Sequence, residues 1–322
     1  MGKRIEWVDL AKGIAILAVI MGHETSGFIK FLIFSFHMPI FFILSGYTSR
    51  QRTSVIAVKN TSKKLIKKVL VPAFITVTLV NFQWLFLGKI TFKEIFYYIF
   101  GGLFWGSASG GPHGHPTIGF MWFLVVFFWA KLLYELISLY VDDRGQIIFW
   151  GIMSLVFIKV KQLQFLPQSF DLVSVAILFM IMGHIIRKDQ LIMKCNDIYL
   201  LFWIFIWLIL LQFGNWIDMG ERFYYGGIIC VVTACIASFC IMMLSDSLSK
   251  LNSMNVLIFL GQNTLLLLCI HYADMYDLLI KHINHLPAIS NAAFRLVEDL
   301  LIFMLFIYFR QWLNRRRKNS EV

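Results

Sequence analysis

Apolar stretches of about 20 residues, separated by short polar segments, follow one another along nearly the whole chain. A helix of that length crosses the hydrocarbon core of a bilayer, which is about 30 Å thick. We therefore predict an all-α polytopic membrane protein with about ten transmembrane helices. The predicted spans lie near residues 13–28, 30–48, 69–88, 118–140, 146–161, 170–186, 198–213, 226–244, 256–273 and 293–312.

One apolar segment does not fit this pattern. Residues 92–106 are short and aromatic and carry Lys93 and Glu94, which favours an interfacial or re-entrant helix over a full crossing. The sequence contains no internal repeat and no low-complexity linker. We therefore expect a single integral-membrane domain over residues 1–322, in which residues 313–322 form a basic cytoplasmic tail.

Composition agrees with a membrane location. The chain is 59% hydrophobic and only 15% charged, whereas a soluble domain carries about 25% charged residues. A net charge of +11 is compatible with nucleic-acid binding, but most of the basic residues lie in alternate segments between spans. Because positive loops face the cytoplasm, we predict that both termini are cytoplasmic and that the protein binds no nucleic acid. No small-residue cleavage site follows the first span, so we expect a retained anchor.

Ionisable residues interrupt the first two spans. Asp9, Lys12, His23 and Glu24 lie in or beside the first span, and His37 lies in the second. The spacing of Asp9 and Lys12 allows an ion pair on one helix face, and His23 falls on nearly the same face, about 16 Å further along the axis. Charged residues at membrane depth indicate a functional site, although an intramembrane histidine can also join helices by a hydrogen bond.

These residues also carry a resemblance. An acidic residue, a basic residue three positions later and a histidine eleven positions beyond that resemble the first helix of the acyltransferase-3 family of membrane O-acyltransferases. The motif Phe-Phe-Ile-Leu-Ser-Gly-Tyr at residues 41–47 resembles the family's second-helix signature, and His-Met-Pro at residues 37–39 resembles its fucose 4-O-acetylase-like branch. The basic residue of the family is usually arginine, whereas this chain has Lys12, which lacks the planar guanidinium fork.

The resemblance extends to other positions. Lys64 and Lys67 have the spacing of the family's paired-arginine motif. The lysine run at residues 59–68 is interpreted as a phosphate-binding patch for coenzyme A, with Lys63, Lys64, Lys67 and Lys68 as its candidate residues. An ordinary positive-inside loop explains the same residues. The resemblance also implies that Ser45 lines the donor site, while Gly46 is better explained by close helix packing. Trp122 in a Trp-Phe-Leu motif is interpreted as an interfacial anchor.

Further histidines have simpler explanations. Asn263, Thr264 and His271 resemble a late family signature, but a helix cap at the inner end of the ninth span and an interfacial histidine explain them equally well. His113 and His115 form a His-x-His pair without a third ligand, and the five cysteines lack metal spacing. We therefore expect no metal.

The resemblance implies an O-acyltransferase, most simply an acetyltransferase, in the plasma membrane of a bacterium. Acetyl-coenzyme A would be the acyl donor and a hydroxyl of a cell-envelope saccharide the acceptor, and glycan-synthesis proteins are possible partners. His23 is the expected general base, with Asp9 and Lys12 positioning the donor, His37 orienting or polarising, and Glu24 acting on the His23 ring. A covalent acyl-histidine relay stays open. The alternatives are a transporter or flippase for an amino acid or lipid-linked saccharide, which also needs charges at membrane depth, and a scaffolding subunit.

Overall fold

The computed structural model describes residues 4–50, 52–275 and 288–320, and within the last range it describes the side chains of residues 289–316. Nearly all of this part is helical. The helices are α1 (Glu6–Gly22), α2 (Gly27–Phe34), α3 (Pro39–Thr48), α4 (Val55–Leu65), α5 (Val71–Phe86), α6 (Phe92–Phe96), α7 (Gly102–Trp105), α8 (Trp122–Ile137), α9 (Asp143–Lys159), α10 (Val173–Lys188), α11 (Leu191–Lys194), α12 (Asp197–Gln212), α13 (Ile228–Leu248), α14 (Asn255–Gln262), α15 (Thr264–Met275) and α16 (Ala288–Ser320).

Shorter elements connect them. Single π-helical turns at Ile66–Leu70 and Tyr97–Gly101 lead from α4 into α5 and from α6 into α7. Strands β1 (Ile217–Asp218) and β2 (Phe223–Tyr224) pair antiparallel, with Ile217 opposite Tyr224, and form a hairpin between α12 and α13.

Within the described ranges, five helical segments are long and apolar enough to cross a membrane: Gly27–Thr48, Val55–Phe86, Gly119–Ile137, Pro167–Lys188 and Ile228–Leu248. A sixth qualifies if α14 and α15, which meet at 68°, are counted as one broken span. The chain is therefore a helical protein with several membrane spans. The number of ten, the cytoplasmic termini and the interfacial or re-entrant nature of residues 92–106 stay predictions.

The first two predicted spans have different boundaries in the structure. Helix α1 begins at Glu6, seven residues before the predicted start. The prediction excluded this first turn because it contains Asp9, but Asp9 is buried inside the protein and paired with basic residues, so the helix can include it. The second predicted span is two helices, α2 and α3, with a break around His37. Pro39 begins α3, a position where its missing N–H costs no hydrogen bond.

Glycines bring two pairs of helices into backbone contact. A Cβ added at Gly13 of α1 would overlap the Leu257 carbonyl of α14, and one added at Gly261 of α14 would overlap the Asp9 carbonyl. Gly46 of α3 and Gly183 of α10 make the same kind of reciprocal contact. This confirms close packing as the role of Gly46, and it places α1 and α3 at the centre of the helix assembly.

The ninth predicted span bends in its middle. Asn263 and Thr264 lie at the junction of α14 and α15, where the Asn263 side chain donates a hydrogen bond of 2.9 Å to the Phe259 carbonyl. A polar side chain that satisfies a freed carbonyl permits such a bend between two apolar helices, and the place of these residues at the inner end of a span stays a prediction. The bend directs α15 toward the end of α1.

Candidate functional site

Two cavities lie along α1, one near its beginning and one at its end. The Lys12 cavity, of about 300 Å³, is lined by Arg4, Lys12, Ile16, Val19, Met38, Phe41, Ser45, Thr48, Val69, Phe123, Leu124, Phe127, Gly261, Gln262, Thr264, Leu265 and Leu268. The His23 cavity, of about 320 Å³, is lined by His23, Lys30, Phe34, His37, Met38, Pro39, Ala108, Gly119, Phe120, Trp122, Ile217, Asp218, Met219, Gly220, Glu221 and Met275. Met38 contributes to both walls.

A buried carboxylate anchors the Lys12 cavity. Asp9 is only 3% exposed and its two oxygens pair with different cations, Arg4 Nε at 2.7 Å and Lys12 Nζ at 3.4 Å. The predicted Asp9–Lys12 ion pair is therefore confirmed, and Arg4 is a second partner that the sequence analysis missed. Since two cations share one carboxylate, this wall keeps a net positive charge, which favours an anionic ligand. Ser45, in the last turn of α3, also lines this cavity.

The lysines of the predicted phosphate site lie outside the Lys12 cavity. Lys63, Lys64 and Lys67 line an open groove on α4 and the following π turn, and Lys68 is exposed on the same segment. Val69, which follows directly, belongs to the wall of the Lys12 cavity. The basic groove and the cavity are thus neighbours along one helix, an arrangement in which one extended anionic molecule can contact both.

His23 caps the end of α1 and lies open to its cavity. Its ring stacks on Phe120 with the centroids 5.1 Å apart, and it contacts Phe34 edge-on at 6.5 Å. His37 lies in the turn between α2 and α3, where its Nδ1 is 3.0 Å from the Ile33 carbonyl. That contact makes Nδ1 the protonated nitrogen and leaves Nε2 as a hydrogen-bond acceptor.

The structure brings both predicted histidines to one cavity. Phe34 lies between them, because its ring also contacts His37 at 4.6 Å between centroids. Glu24, in contrast, turns to α16 and pairs with Arg295 Nε at 2.7 Å. The expectation that Glu24 acts on His23 therefore needs revision: Arg295 holds its carboxylate, an interaction between distant parts of the chain that spacing along α1 does not predict.

A buried imidazole–carboxylate pair that the sequence did not predict lies beside His23. His271 of α15 and Asp299 of α16 are both fully buried, and His271 Nδ1 lies 2.7 Å from the carboxylate. The His271 ring is 5.9 Å from the His23 ring, and Phe120 stacks on both. The interpretation of His271 as an interfacial residue was therefore wrong. Asp299 and Arg295 lie inside the last predicted span, and this intramembrane charge was the signal available in the sequence.

The far wall of the His23 cavity comes from the hairpin loop. Asp218 and Glu221 place two carboxylates there, opposite Lys30 and the aromatic ring of Trp122. Burial raises the pKa of the Asp218 carboxyl, since its charged form loses contact with water. Trp122 is therefore a wall of this cavity, which the anchor interpretation did not anticipate.

A buried arginine fixes this loop in place. Arg222 is 4% exposed and its guanidinium donates to Asp171 at 3.0 Å and to the Ser169 hydroxyl at 2.9 Å, while its charge lies over the Phe165 ring. Buried ion pairs of this kind define one loop conformation when every donor has a partner. The loop that carries Asp218 and Glu221 is thereby held against the cavity.

The remaining candidates lie apart from both cavities. His113 is exposed, His115 stacks on Trp105 at 4.2 Å, and His184 lies 3.7 Å from Asp143. Among the residues that the structure describes, no group of three or more His, Cys, Asp or Glu side chains is arranged to hold a metal ion.

Comparison with known proteins gives one result. The family model described as "Acyltransferase domain", that of the acyltransferase-3 family, matches residues 5–308 and so includes both cavities and the His271–Asp299 pair. Comparison with curated proteins and with solved structures gives no significant match.

Proposed function

Because the chain belongs to the acyltransferase-3 family and is therefore an acyltransferase of the membrane, we propose that it moves an acyl group from acyl-coenzyme A to a hydroxyl of a cell-envelope saccharide. Acetyl-coenzyme A is the proposed donor and the transfer is an O-acetylation. The donor binds on the side where α1 begins, and the acceptor binds on the side where α1 ends.

The observation that carries this proposal is the pair of cavities that share Met38. The Lys12 cavity is cationic and lies beside the basic groove, whereas the His23 cavity holds two histidines and two carboxylates. A donor and an acceptor that approach from opposite sides of a membrane need two such compartments with a thin partition between them. Met38 is a suitable partition, because its flexible thioether side chain adapts readily to different packing.

The donor side matches the charge of coenzyme A. Lys12 and Arg4 face the Lys12 cavity, and the phosphates extend to Lys63, Lys64 and Lys67, where cations form charge-assisted contacts with phosphate oxygens. The apolar remainder of the cavity wall accommodates the pantetheine arm. Ser45 contributes a polar group to this wall.

The acceptor side suits a polyhydroxylated molecule. Carboxylates accept hydrogen bonds from sugar hydroxyls, and Asp218 and Glu221 provide four oxygens on the hairpin wall. Trp122 and Phe34 add flat apolar surfaces against which the C–H face of a sugar ring packs. A wall of this composition supports a saccharide in preference to a purely apolar alcohol.

His23 is the proposed general base. It takes the proton of the acceptor hydroxyl as the oxygen attacks the thioester carbonyl, the carbon–sulfur bond breaks, and the thiolate of coenzyme A leaves and receives that proton. His37 orients the acceptor or polarises the carbonyl from the neighbouring wall. Lys12 and Asp9 hold the donor on the other side of Met38, and Glu24 holds the end of α1 through its ion pair with Arg295.

The test uses purified full-length protein in nanodiscs and acetyl-coenzyme A labelled in the acetyl group. Release of coenzyme A is expected with the unchanged protein and is expected to fall by at least about 10²-fold in His23→Ala. His113→Ala, which changes an exposed loop histidine, serves as the control. Thioester cleavage that persists in His23→Ala would remove His23 from the mechanism, and counterflow of a solute without any cleavage would replace the enzyme by a carrier.

The proposed setting is the plasma membrane of a bacterium, where a cytoplasmic thioester and an envelope saccharide meet at the two faces of one bilayer. Lipid-linked or polymeric saccharides would be delivered by glycan-synthesis proteins. Co-purification from native membranes would identify such partner proteins. Labelling of the His23 cavity by a saccharide photoprobe is the measurement that identifies the acceptor.

A further inference from the structure

The His271–Asp299 pair has a consequence for His23 that follows from its hydrogen bonding. Because Nδ1 of His271 lies 2.7 Å from the Asp299 carboxylate, that nitrogen carries the proton and its N–H donates a hydrogen bond to the carboxylate. Nε2 is then a lone-pair acceptor. It is buried and has no hydrogen-bond partner among the described residues. An unpartnered buried acceptor costs free energy in the resting protein, and its retention therefore calls for an explanation.

A candidate donor is His23, whose ring lies beside the His271 ring. The two rings lie 5.9 Å apart with a tilt of 30°, whereas two imidazoles joined by an N–H···N bond lie about 5 Å apart between centroids. His23 is open to its cavity, so a small rotation of its ring closes the difference. Phe120 stacks against both rings.

We propose that His271, oriented by Asp299, is a positioning residue for His23: its Nε2 accepts a hydrogen bond from the second N–H that His23 acquires when it takes the acceptor proton. This inference rests on the proposed function. The proton remains on His23 until the thiolate of coenzyme A removes it, and His271 keeps its own proton on Nδ1. The pair thus stabilises the cation that forms during the transfer, as a carboxylate does for a catalytic histidine in hydrolases.

Other charged or titratable groups surround His23, and some favour its protonated form while others oppose it. They are Glu24 just after α1, Lys30 of α2, His37, Asp274 of α15, Arg295 of α16, and Asp218 and Glu221 of the hairpin wall. Arg295 is held between Glu24 and Asp274, at 2.7 and 3.2 Å, so much of its charge is balanced locally. Within this set, His271 is the residue whose ring lies beside the His23 ring and whose buried acceptor nitrogen has no partner among the described residues.

The test is the pH profile of acetyl-coenzyme A cleavage by the full chain in nanodiscs, with water as the acceptor. Asp299→Asn lets the His271 ring adopt the tautomer with a proton on Nε2, which would oppose protonated His23. The maximal rate is expected to fall on the order of 10²-fold, with KM for acetyl-coenzyme A unchanged. The acidic limb of the profile is expected to move down by about one pH unit, because protonated His23 loses its acceptor.

The matched control is Glu298→Gln, which removes a carboxylate from the adjacent residue of α16. Glu298→Gln is expected to change neither the maximal rate nor the pH of the acidic limb. Asp299→Glu keeps a carboxylate and is expected to keep the pH of the acidic limb, even with a lower rate. A thermal melt of each variant identifies any that fails to fold. If Asp299→Asn does not fold, His271→Asn replaces it and is expected to move the acidic limb in the same direction.

Two results would overturn the inference while leaving the proposed function intact. The first is an acidic limb that stays in place in Asp299→Asn while His23→Ala abolishes cleavage. The second is an equal shift in Glu298→Gln, which would assign the effect to general charge. If the unchanged protein cleaves no thioester at all, the proposed function itself fails and the inference fails with it.

Discussion

Gly261→Ala tests whether backbone contact between α1 and α14 positions the donor site. A Cβ at this position would overlap the Asp9 carbonyl and approach the Gly13 amide nitrogen, both closer than the 3.0 Å that real Cβ atoms respect. Backbone atoms cannot rotate away, so the two helices must separate by about 1 Å. Overpacking of this kind costs about 1–3 kcal/mol.

The functional loss is expected to exceed the loss of stability. Asp9 holds Arg4 and Lys12 in the wall of the Lys12 cavity, and Gly261 lies in the same wall. A displacement of about 1 Å at a positioning group can lower a rate about 10²-fold. We therefore expect Gly261→Ala to fold, to melt at a lower temperature, and to cleave acetyl-coenzyme A about 10²-fold more slowly.

The matched control is Gly151→Ala, since a Cβ added at this helical glycine of α9 meets no atom within 4 Å. Alanine in an open helical position is expected to stabilise by about 0.5–1 kcal/mol. The assays are a thermal melt in detergent and the cleavage rate at saturating donor. A Gly261→Ala protein that melts and reacts like the unchanged protein would refute the view that this glycine contact positions the donor site.

Three further predictions address the two cavities. Replacing Lys63, Lys64 and Lys67 by Gln is expected to raise KM for acetyl-coenzyme A but not for acetyl-pantetheine, which lacks the nucleotide phosphates; an equal rise for both donors would contradict the phosphate assignment. Met38→Ala is expected to increase thioester hydrolysis by opening the partition, whereas Met38→Trp is expected to block transfer; unchanged rates in both variants would show that the acyl group does not pass this residue. For Asp218, burial raises the pKa of the carboxyl, so its charge is lost on acidification at a higher pH than for an ordinary aspartate. KM for a saccharide acceptor should therefore rise as the pH falls through that raised pKa, and Asp218→Asn should have a higher KM without this pH dependence; a wild-type profile in the variant would exclude Asp218 from acceptor binding.

Some features of the site were accessible to sequence reasoning because they depend on neighbours along the chain. The Asp9–Lys12 pair follows from their spacing on one helix. The position of His23 at the end of the same helix also depends only on local sequence, although the helix begins seven residues earlier than the apolar stretch indicates. Charged residues that are paired inside a protein do not limit a span, and a hydropathy pattern cannot recognise the pairing in advance.

Other features required contacts between distant segments. His271 and Asp299 are 28 positions apart, and Glu24 meets Arg295 from the opposite end of the chain. Each of these residues, taken alone, has an ordinary explanation as a cap, an interfacial residue or a solvated charge. The pairing becomes evident only in the folded chain, where His271 and Asp299 are fully buried, since a buried charge is tolerated only with a partner.

The amino-acid sequence by itself determined that this is a helical membrane protein and that its first helix carries a charge pair and a histidine, because hydrophobic length and residue spacing act within single helices. Only the tertiary structure decided that His23 and His37 share one cavity, that Met38 belongs to the walls of two, and that a His271–Asp299 pair lies behind His23. The bend at Asn263 and the glycine contact between α1 and α14 determine these distances. Both depend on which helix faces which, and local sequence patterns do not specify that.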